Sequence, residues 1–177
     1  MMRCPIDLRF RAATELDLPA IKRIIEEAQA KLCKAHVDQW QNGYPTDDIL
    51  RQDITNENCF VMIDDEGNLL GSFTLIMGDD PNYEVIKGAW KSNKPYVVLH
   101  RLAIASRFQH LGLARKCFSF IEQKAKSCSI RSFRVDTHED NLPMRNLLES
   151  VGFAYCGIIR VADGTPRRAY EKELELS

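Results

Sequence analysis

Apolar positions recur along this chain in two rhythms, alternating where a strand buries one side and returning every three to four residues where a helix does. Residues 7–12 alternate and predict a first strand. Thr14 then reads as the cap of a helix whose apolar positions Leu18, Ile21, Ile24, Ile25, Ala28 and Leu32 keep helical spacing to an end near Lys34. Residues 35–45 mix large and polar side chains in a loop carrying Trp40 and Tyr44, after which Thr46 caps a short second helix through Thr55. Residues 59–64 and 69–77 flank Asp65-Glu66-Gly67-Asn68, the pattern of two strands joined by a tight turn.

Residues 80–94 are irregular, with one helical turn expected at 83–86, and lead into a fourth strand over 96–104. A third helix follows over 113–127 with Leu113, Cys117, Phe120, Ile121 and Ala125 on one face, and residues 130–136 form a fifth strand. Asn141-Leu142-Pro143 opens a fourth helix, proline standing in the first turn where no N–H is needed, and Val151-Gly152-Phe153 closes it. Residues 153–161 and 167–174 make a closing hairpin around Asp163-Gly164. The order is strand, two helices, three strands, helix, strand, helix, two strands. It predicts a mixed α/β fold, one domain over residues 1–177 with seven strands and four helices.

Composition narrows the class. Lys and Arg number 24 against 25 Asp and Glu, a net charge of -1, so nothing at whole-chain level suggests a nucleic-acid surface. Residues 1–11 lack the apolar stretch of a signal peptide, and no window approaches the roughly 20 apolar residues of a membrane span, so the expectation is a cytoplasmic protein. Cys4, Cys33, Cys59, Cys117, Cys128 and Cys156 form no C-x-x-C pair and read as buried small hydrophobes rather than a disulfide scaffold or zinc site.

Between the fourth strand and the third helix stands Gln109-His110-Leu111-Gly112-Leu113-Ala114. A strand entering a small-residue turn and then a helix leaves several backbone N–H groups unpaired and pointing one way, beside the positive end of the helix dipole. That arrangement suits a pyrophosphate, although the six residues alone are unspecific. Their context adds to them. Strand, Gln-x-x-Gly-x-Ala turn and helix, followed by strand, Asn-x-x-Met and a Gly-Phe closure, resembles the GNAT superfamily of acyl-CoA-dependent N-acetyltransferases, with residues 102–104, 109–114 and 141–153 matching in order and spacing.

The resemblance implies that the fourth and fifth strands are parallel and splayed, with acetyl-CoA wedged between them. It implies that Leu102, Ala103 and Ile104 offer a free backbone edge to the pantetheine arm. The pyrophosphate is then held by N–H groups of Leu111, Gly112, Leu113, Ala114 and Arg115, with Gln109 and His110 in the same turn and Asn141 at the cofactor arm or simply capping its helix. Arg107, His110, Arg115 and Lys116 either add positive charge near the phosphates or stand as solvated surface cations. Family members often carry a Tyr seven residues after this Asn to protonate the departing thiolate, but position 148 is Leu148, so that assignment is withheld.

An alkyl amine with a pKa near 10.4 is mostly protonated at neutral pH, so a base or water chain is required. His100 is the first candidate, because positions 100 and 102 share a strand face if no bulge intervenes, which brings it near the reacting centre. The bland alternative is a satisfied core histidine. His138 is the second, at the end of the fifth strand with Asp136, whose carboxylate suits a substrate ammonium; its alternative is a solvated loop histidine. No metal site is expected. Trp40 and Tyr44, with Trp90 facing them from the irregular segment, form either an aromatic wall for the acceptor or ordinary core. The expected reaction transfers acetyl from acetyl-CoA to a small-molecule amine or amino-acid derivative by direct attack in a ternary complex, without a membrane or nucleic-acid partner. The rivals are a protein N-terminal or lysine acetyltransferase, a non-catalytic coenzyme-A sensor and a nucleotide-binding protein, and the oligomeric state stays open between monomer and homodimer.

Overall fold

Thr14 ends strand β1 (Arg9–Ala12) and turns the chain through a single 3-10 turn, Glu15–Asp17, into helix α1 (Leu18–Lys34), in a computed structural model that describes residues 7–175. Asp17 holds the turn: its Oδ2 accepts from the Thr14 backbone N–H at 2.7 Å and from the Thr14 hydroxyl at 3.1 Å, while Arg11 grips both carboxylate oxygens at 2.7 and 2.8 Å. Helix α2 (Asp47–Thr55) starts where Thr46 Oγ1 accepts from the Ile49 N–H at 3.3 Å. The remaining elements are β2 (Cys59–Ile63), β3 (Leu69–Met77), β4 (Lys87–Gly88), β5 (Tyr96–Ile104), α3 (Leu113–Ser127), β6 (Ser132–Thr137), α4 (Leu142–Ser150), β7 (Ala154–Arg160) and β8 (Pro166–Glu173).

The strands form one sheet in the order β1-β2-β3-β5-β6-β8-β7-β4, and only the β5–β6 pair is parallel. Both faces are covered, so neighbouring residues on a strand go to different cores. Val61 packs with Ile21, Ile24 and Ile54 under α1 and α2, and Met62 packs with Leu113, Cys117 and Ile121 under α3. A third cluster of Tyr83, Tyr96, Val98, Ile159 and Ala169 lies on the same side as α1 but farther along the sheet, under the irregular 80–94 segment.

Three expectations change. The sheet has eight strands rather than seven, because β4 adds two residues at the edge beside β7. There Gly88 faces Gly157 so closely that a Cβ on either would collide with the other backbone, a long-range fit that leaves no hydrophobic rhythm in the sequence. Phe118 rather than Phe120 belongs to the buried stripe of α3, packing on Phe133 and Phe153, while Phe120 sits half-buried at its edge, stacked on Phe10 at 4.4 Å. Cys59, Cys117 and Cys156 are buried, but Cys33 and Cys128 are exposed at the ends of α1 and α3, where the polar sides of the helices emerge; Cys4 lies outside the described residues. No described helix is long and apolar enough to cross a membrane.

The Arg11 hydrogen bond draws the Asp17 carboxyl down to about 2, from an ordinary value of about 3.9. A carboxyl with a depressed folded pKa stabilises above its unfolded value, and the gain is lost as pH falls toward the folded one. The melting-temperature gap between the native chain and Asp17→Asn is therefore expected to be constant from pH 7 to pH 5 and to close between pH 4 and pH 2 in a thermal-denaturation series.

Candidate active site

Strands β5 and β6 pair over four residues, from Tyr96 opposite Ser132 to Leu99 opposite Val135, and then part. Past that point β5 stays with β3, Ala103 opposite Ser72 and Ile104 opposite Gly71, while β6 stays with β8, Asp136 opposite Ala169. The edges that face each other there carry unpaired backbone donors and acceptors. They open into a cleft of about 990 Å³ roofed by the 35–45 loop. Ala28 and Leu32 continue the apolar stripe of α1 but stay half-exposed, because the last turns of that helix face the cleft rather than the core.

The parting coincides with a bulge. Arg101 adopts φ 52, and the β3 register shifts between Ser72 and Thr74, so an extra β5 residue stands against β3. Left-handed backbone at a long side chain is costly and persists only where surroundings fix it. Here Arg101 Nε and Nη2 donate to the two oxygens of Asp53 on α2 at 2.7 and 2.8 Å, Nη1 donates to the Tyr44 hydroxyl, and the Thr74 hydroxyl donates to Asp53 at 2.8 Å. One guanidinium thus ties together α2, β3, β5 and the roof loop. The bulge also flips the parity of the strand: Leu99, Leu102 and Ile104 pack toward α3, whereas Ala103 packs toward α1. His100 and Leu102 consequently lie on opposite faces, correcting the expectation that they share one.

His100 projects into a cluster of acids. Its Nε2 lies 2.6 Å from Asp80 Oδ2, and its Nδ1 lies 3.9 Å from Asp136 Oδ1, which accepts from the Tyr83 hydroxyl at 2.7 Å. Burial pushes Asp80 up, but the bond and charge of His100, with the Asn82 N–H and amide, outweigh it, so the net shift is downward and the carboxylate stays ionised. That anion engages Nε2, and Nδ1 is the ring nitrogen left facing Asp136. Burial first, and Asp136 second, hold the Tyr83 phenol well above its usual value, so it is a permanent donor rather than a proton source. A separation of 3.9 Å is too long for a hydrogen bond and leaves room for a donor nitrogen that bridges Nδ1 and the carboxylate.

At the other end of the cleft, His110 (φ 63) and Gly112 (φ 74) turn the chain into α3. The N–H groups of Leu113, Ala114 and Arg115 precede the first intrahelical bond, Lys116 N–H to Gly112 O at 3.2 Å, and have no acceptor among the described residues. A Cβ built on Gly112 meets nothing within 4 Å, so the floor of this turn is open to the cleft. Unpartnered amides, a helix N-terminus and an open approach fit a pyrophosphate, and the unpaired β5 edge beside them fits an amide-bearing arm.

A model of the acetyltransferase (GNAT) family matches residues 25–153. The chain belongs to this family. A GNAT-family acetyltransferase from Streptococcus agalactiae is 34% identical and superposes with a TM-score of 0.84 over 96% of this chain and 98% of its own. A second from Listeria monocytogenes, 20% identical with a TM-score of 0.74 over 94% and 95%, shows the fold alone. So does the ribosomal-protein-S18-alanine N-acetyltransferase from Escherichia coli, 15% identical with a TM-score of 0.65 over 96% of each chain. No curated protein matches the sequence. The protein is an acyl-CoA-dependent N-acetyltransferase.

Of the residues expected at the site of this GNAT enzyme, the cleft brings together His100, Asp136, Trp40, Tyr44, Asn141, Leu102, Ala103, Ile104, Gln109, His110, Gly112, Leu113, Ala114 and Arg115. Leu111 packs on the core beside it. His138 does not line the cleft, because its Nδ1 accepts the Asp140 N–H at 3.2 Å in the turn before α4. Arg107 lies over the Phe108 ring, Arg107 and Lys116 stay outside the cleft, and Trp90 stacks on Arg134 at 4.2 Å behind Tyr83. Asn141 caps α4 through Oδ1 to the Met144 N–H at 3.3 Å, and its Nδ2 donates to Gln39 Oε1 at 3.0 Å. Leu148 is fully buried in the α3–α4 core, so position 148 offers no proton donor.

Sequence reasoning missed Asp80, Tyr83, Arg101 and Asp53. Asp80 stands before Pro81, a turn-capping signal, and Arg101 is a charge inside an apolar strand, but neither pattern names its distant partner. Replacing Asp53 leaves Arg101 buried with its charge uncompensated, so Asp53→Ala is expected to lose about 3 kcal/mol of stability in urea denaturation. A loss below about 1 kcal/mol, the scale of an exposed ion pair, would contradict the anchoring role.

Proposed function

We propose that this enzyme transfers the acetyl group of acetyl-CoA to a primary amine of a small molecule or amino-acid derivative, by direct attack within a ternary complex. The observation that carries the small-acceptor reading is the roof of the cleft. Gln39 accepts from Asn141 on the far wall, and Asn42 donates to Asp163 in the β7–β8 turn at 3.1 Å, so two bridges from the 35–45 loop cross the acceptor end. A compartment closed in this way favours a compact ligand over a passing polypeptide. The five described cysteines are free thiols, in keeping with a reducing, cytoplasmic setting.

Each residue has a part in this reading. Backbone N–H groups of residues 111–115 hold the pyrophosphate, Gly112 lets it approach, residues 102–104 pair with the pantetheine arm, and the Leu102 N–H supports the acyl oxygen. Acetyl-CoA supplies an activated acyl carbon; the amine nitrogen bonds to that carbon as its bond to sulfur breaks, and the departing thiolate takes up the nitrogen's second proton to leave as the free thiol. The acceptor arrives as an ammonium between Asp136 and His100 Nδ1. Asp136 attracts the charge, Nδ1 takes the proton, and Asp80 steadies the resulting imidazolium. A thiol's ordinary pKa, about 8.5, is lower than the amine's, about 10.4, so the thiolate departs readily without the tyrosine that Leu148 replaces.

In a thiol-release assay across an amine panel, His100→Ala is expected to lower kcat by about 10²–10⁴-fold with the Kd for acetyl-CoA unchanged. Gly112→Val is expected to weaken acetyl-CoA binding instead. Full turnover in His100→Ala would remove the histidine from the mechanism, and binding of acetyl-CoA without turnover of any amine would remove the small-acceptor reading.

A further inference from the structure

Arg167 on β8 lines the acceptor end of the cleft and is 8% exposed, yet no described carboxylate forms an ion pair with it. Its Nη1 is spent within its own turn, donating to Thr165 Oγ1 at 3.0 Å and to Pro166 O at 2.9 Å. The Nε–H and the Nη2 group have no partner among the described residues. They are also not sealed in, since Arg145 Nε is the one described side-chain nitrogen or oxygen both shielded from solvent and unpaired. Nearby Asp163 directs its carboxylate to Thr165 and Asn42. Arg101, the other acceptor-end guanidinium, is saturated by Asp53 and Tyr44.

Strand register places Arg167 with the reacting groups. Ala169 pairs with Asp136 and packs with Tyr83 and Val98, so Arg167, two residues before it on β8, points to the same face, opposite α3 and the amides at its start. Arg167 and Asp136 are thus diagonal neighbours across two strands, about 7–8 Å apart along the backbone. A guanidinium with a free Nε/Nη2 edge presents the fork that matches a carboxylate bidentately, and the nearby Asp163 carboxylate feels its charge without occupying that edge. Asp136 beside it offers a carboxylate whose one described side-chain hydrogen bond comes from the Tyr83 hydroxyl. Cation and anion at this spacing complement a zwitterion.

We infer that the acceptor carries a carboxylate adjacent to its amine, an α-amino acid or close derivative, and that Arg167 binds the carboxylate side-on through Nε and Nη2 while the amine lies between Asp136 and His100. This deepens the proposed small-amine reading and rests on it. Arg167 is a specificity residue: it fixes one end of the acceptor so that the nitrogen meets the acyl carbon.

The test uses the full chain, acetyl-CoA and a panel of L-α-amino acids, each beside its carboxamide and its decarboxylated amine. The expected result is a kcat/KM for at least one amino acid about a hundredfold or more above both of its uncarboxylated partners, expressed mainly in KM. Arg167→Gln is expected to collapse that ratio to near unity, and Arg167→Lys to restore it in part, since an ammonium keeps the charge and loses the fork. Inhibition by the corresponding acid lacking the amine, competitive with the acceptor in the native chain, supplies a readout that needs no variant to fold. Equal or better turnover of uncarboxylated amines, a ratio unaltered in Arg167→Gln, or no inhibition by the amine-free acid would overturn the carboxylate site and leave the small-amine reading standing. Turnover of none of the three classes would overturn both.

Discussion

Two parallel strands that stop pairing while each keeps its other neighbour are the constraint on which this molecule depends. A β-ladder ordinarily runs until a strand ends, because an unpaired buried N–H or C=O is expensive. Here β5 and β6 separate after Leu99 and Val135 although both continue, and the bulge at Arg101 is the local reason. The strained residue is held by a fork of hydrogen bonds to Asp53, with the Tyr44 hydroxyl behind it. Strain at the centre of the sheet is thus offset by a buried ion pair drawn from a helix and a loop some fifty residues upstream. The opening that results is a built feature of the fold rather than a frayed edge.

That opening sorts the charges around it. The Arg101–Asp53 pair is saturated and turned to structure, whereas His100, Asp80 and Asp136 are arranged so that one ring nitrogen stays unengaged. Tyr83, wholly buried, locks Asp136 by donating to one of its oxygens, leaving its charge to act on whatever enters. At the far end the amides leading into α3 contribute partial positive charge without any side chain. Negative groups at the acceptor end and backbone donors at the other give the cleft a direction, with ammonium drawn to one end and phosphate to the other.

Much of this was legible in the sequence wherever a local rule governs. Thr46 marks the start of α2, the run from Tyr96 to Ile104 gives β5 its bounds, and the small-residue turn before Leu113 gives α3 its start. The turn that leaves the α3 amides unpartnered was legible for the same reason: a helix N-terminus is a local object. What escaped was long-range. The two residues of β4 exist only because Gly157 accepts their approach, and the bulge carries no marker beyond a charge in an apolar strand. His100 was found as a residue, but its setting depends on Asp80 twenty positions earlier and on Asp136 across the gap, and no spacing rule links them. His138, the second candidate from sequence, differs because its ring is used by the turn that starts α4.

The most direct measurement of the central claim is amide hydrogen exchange with and without acetyl-CoA. N–H groups lacking an acceptor exchange quickly, so the amides of Leu102 and Ile104, which alternate away from β3, and of residues 111–115 before α3 are expected to slow together on binding, while those of α2 stay unchanged. Protection that bypasses both segments, or that spreads evenly over the chain, would contradict a donor site built from the parted strands and the start of α3.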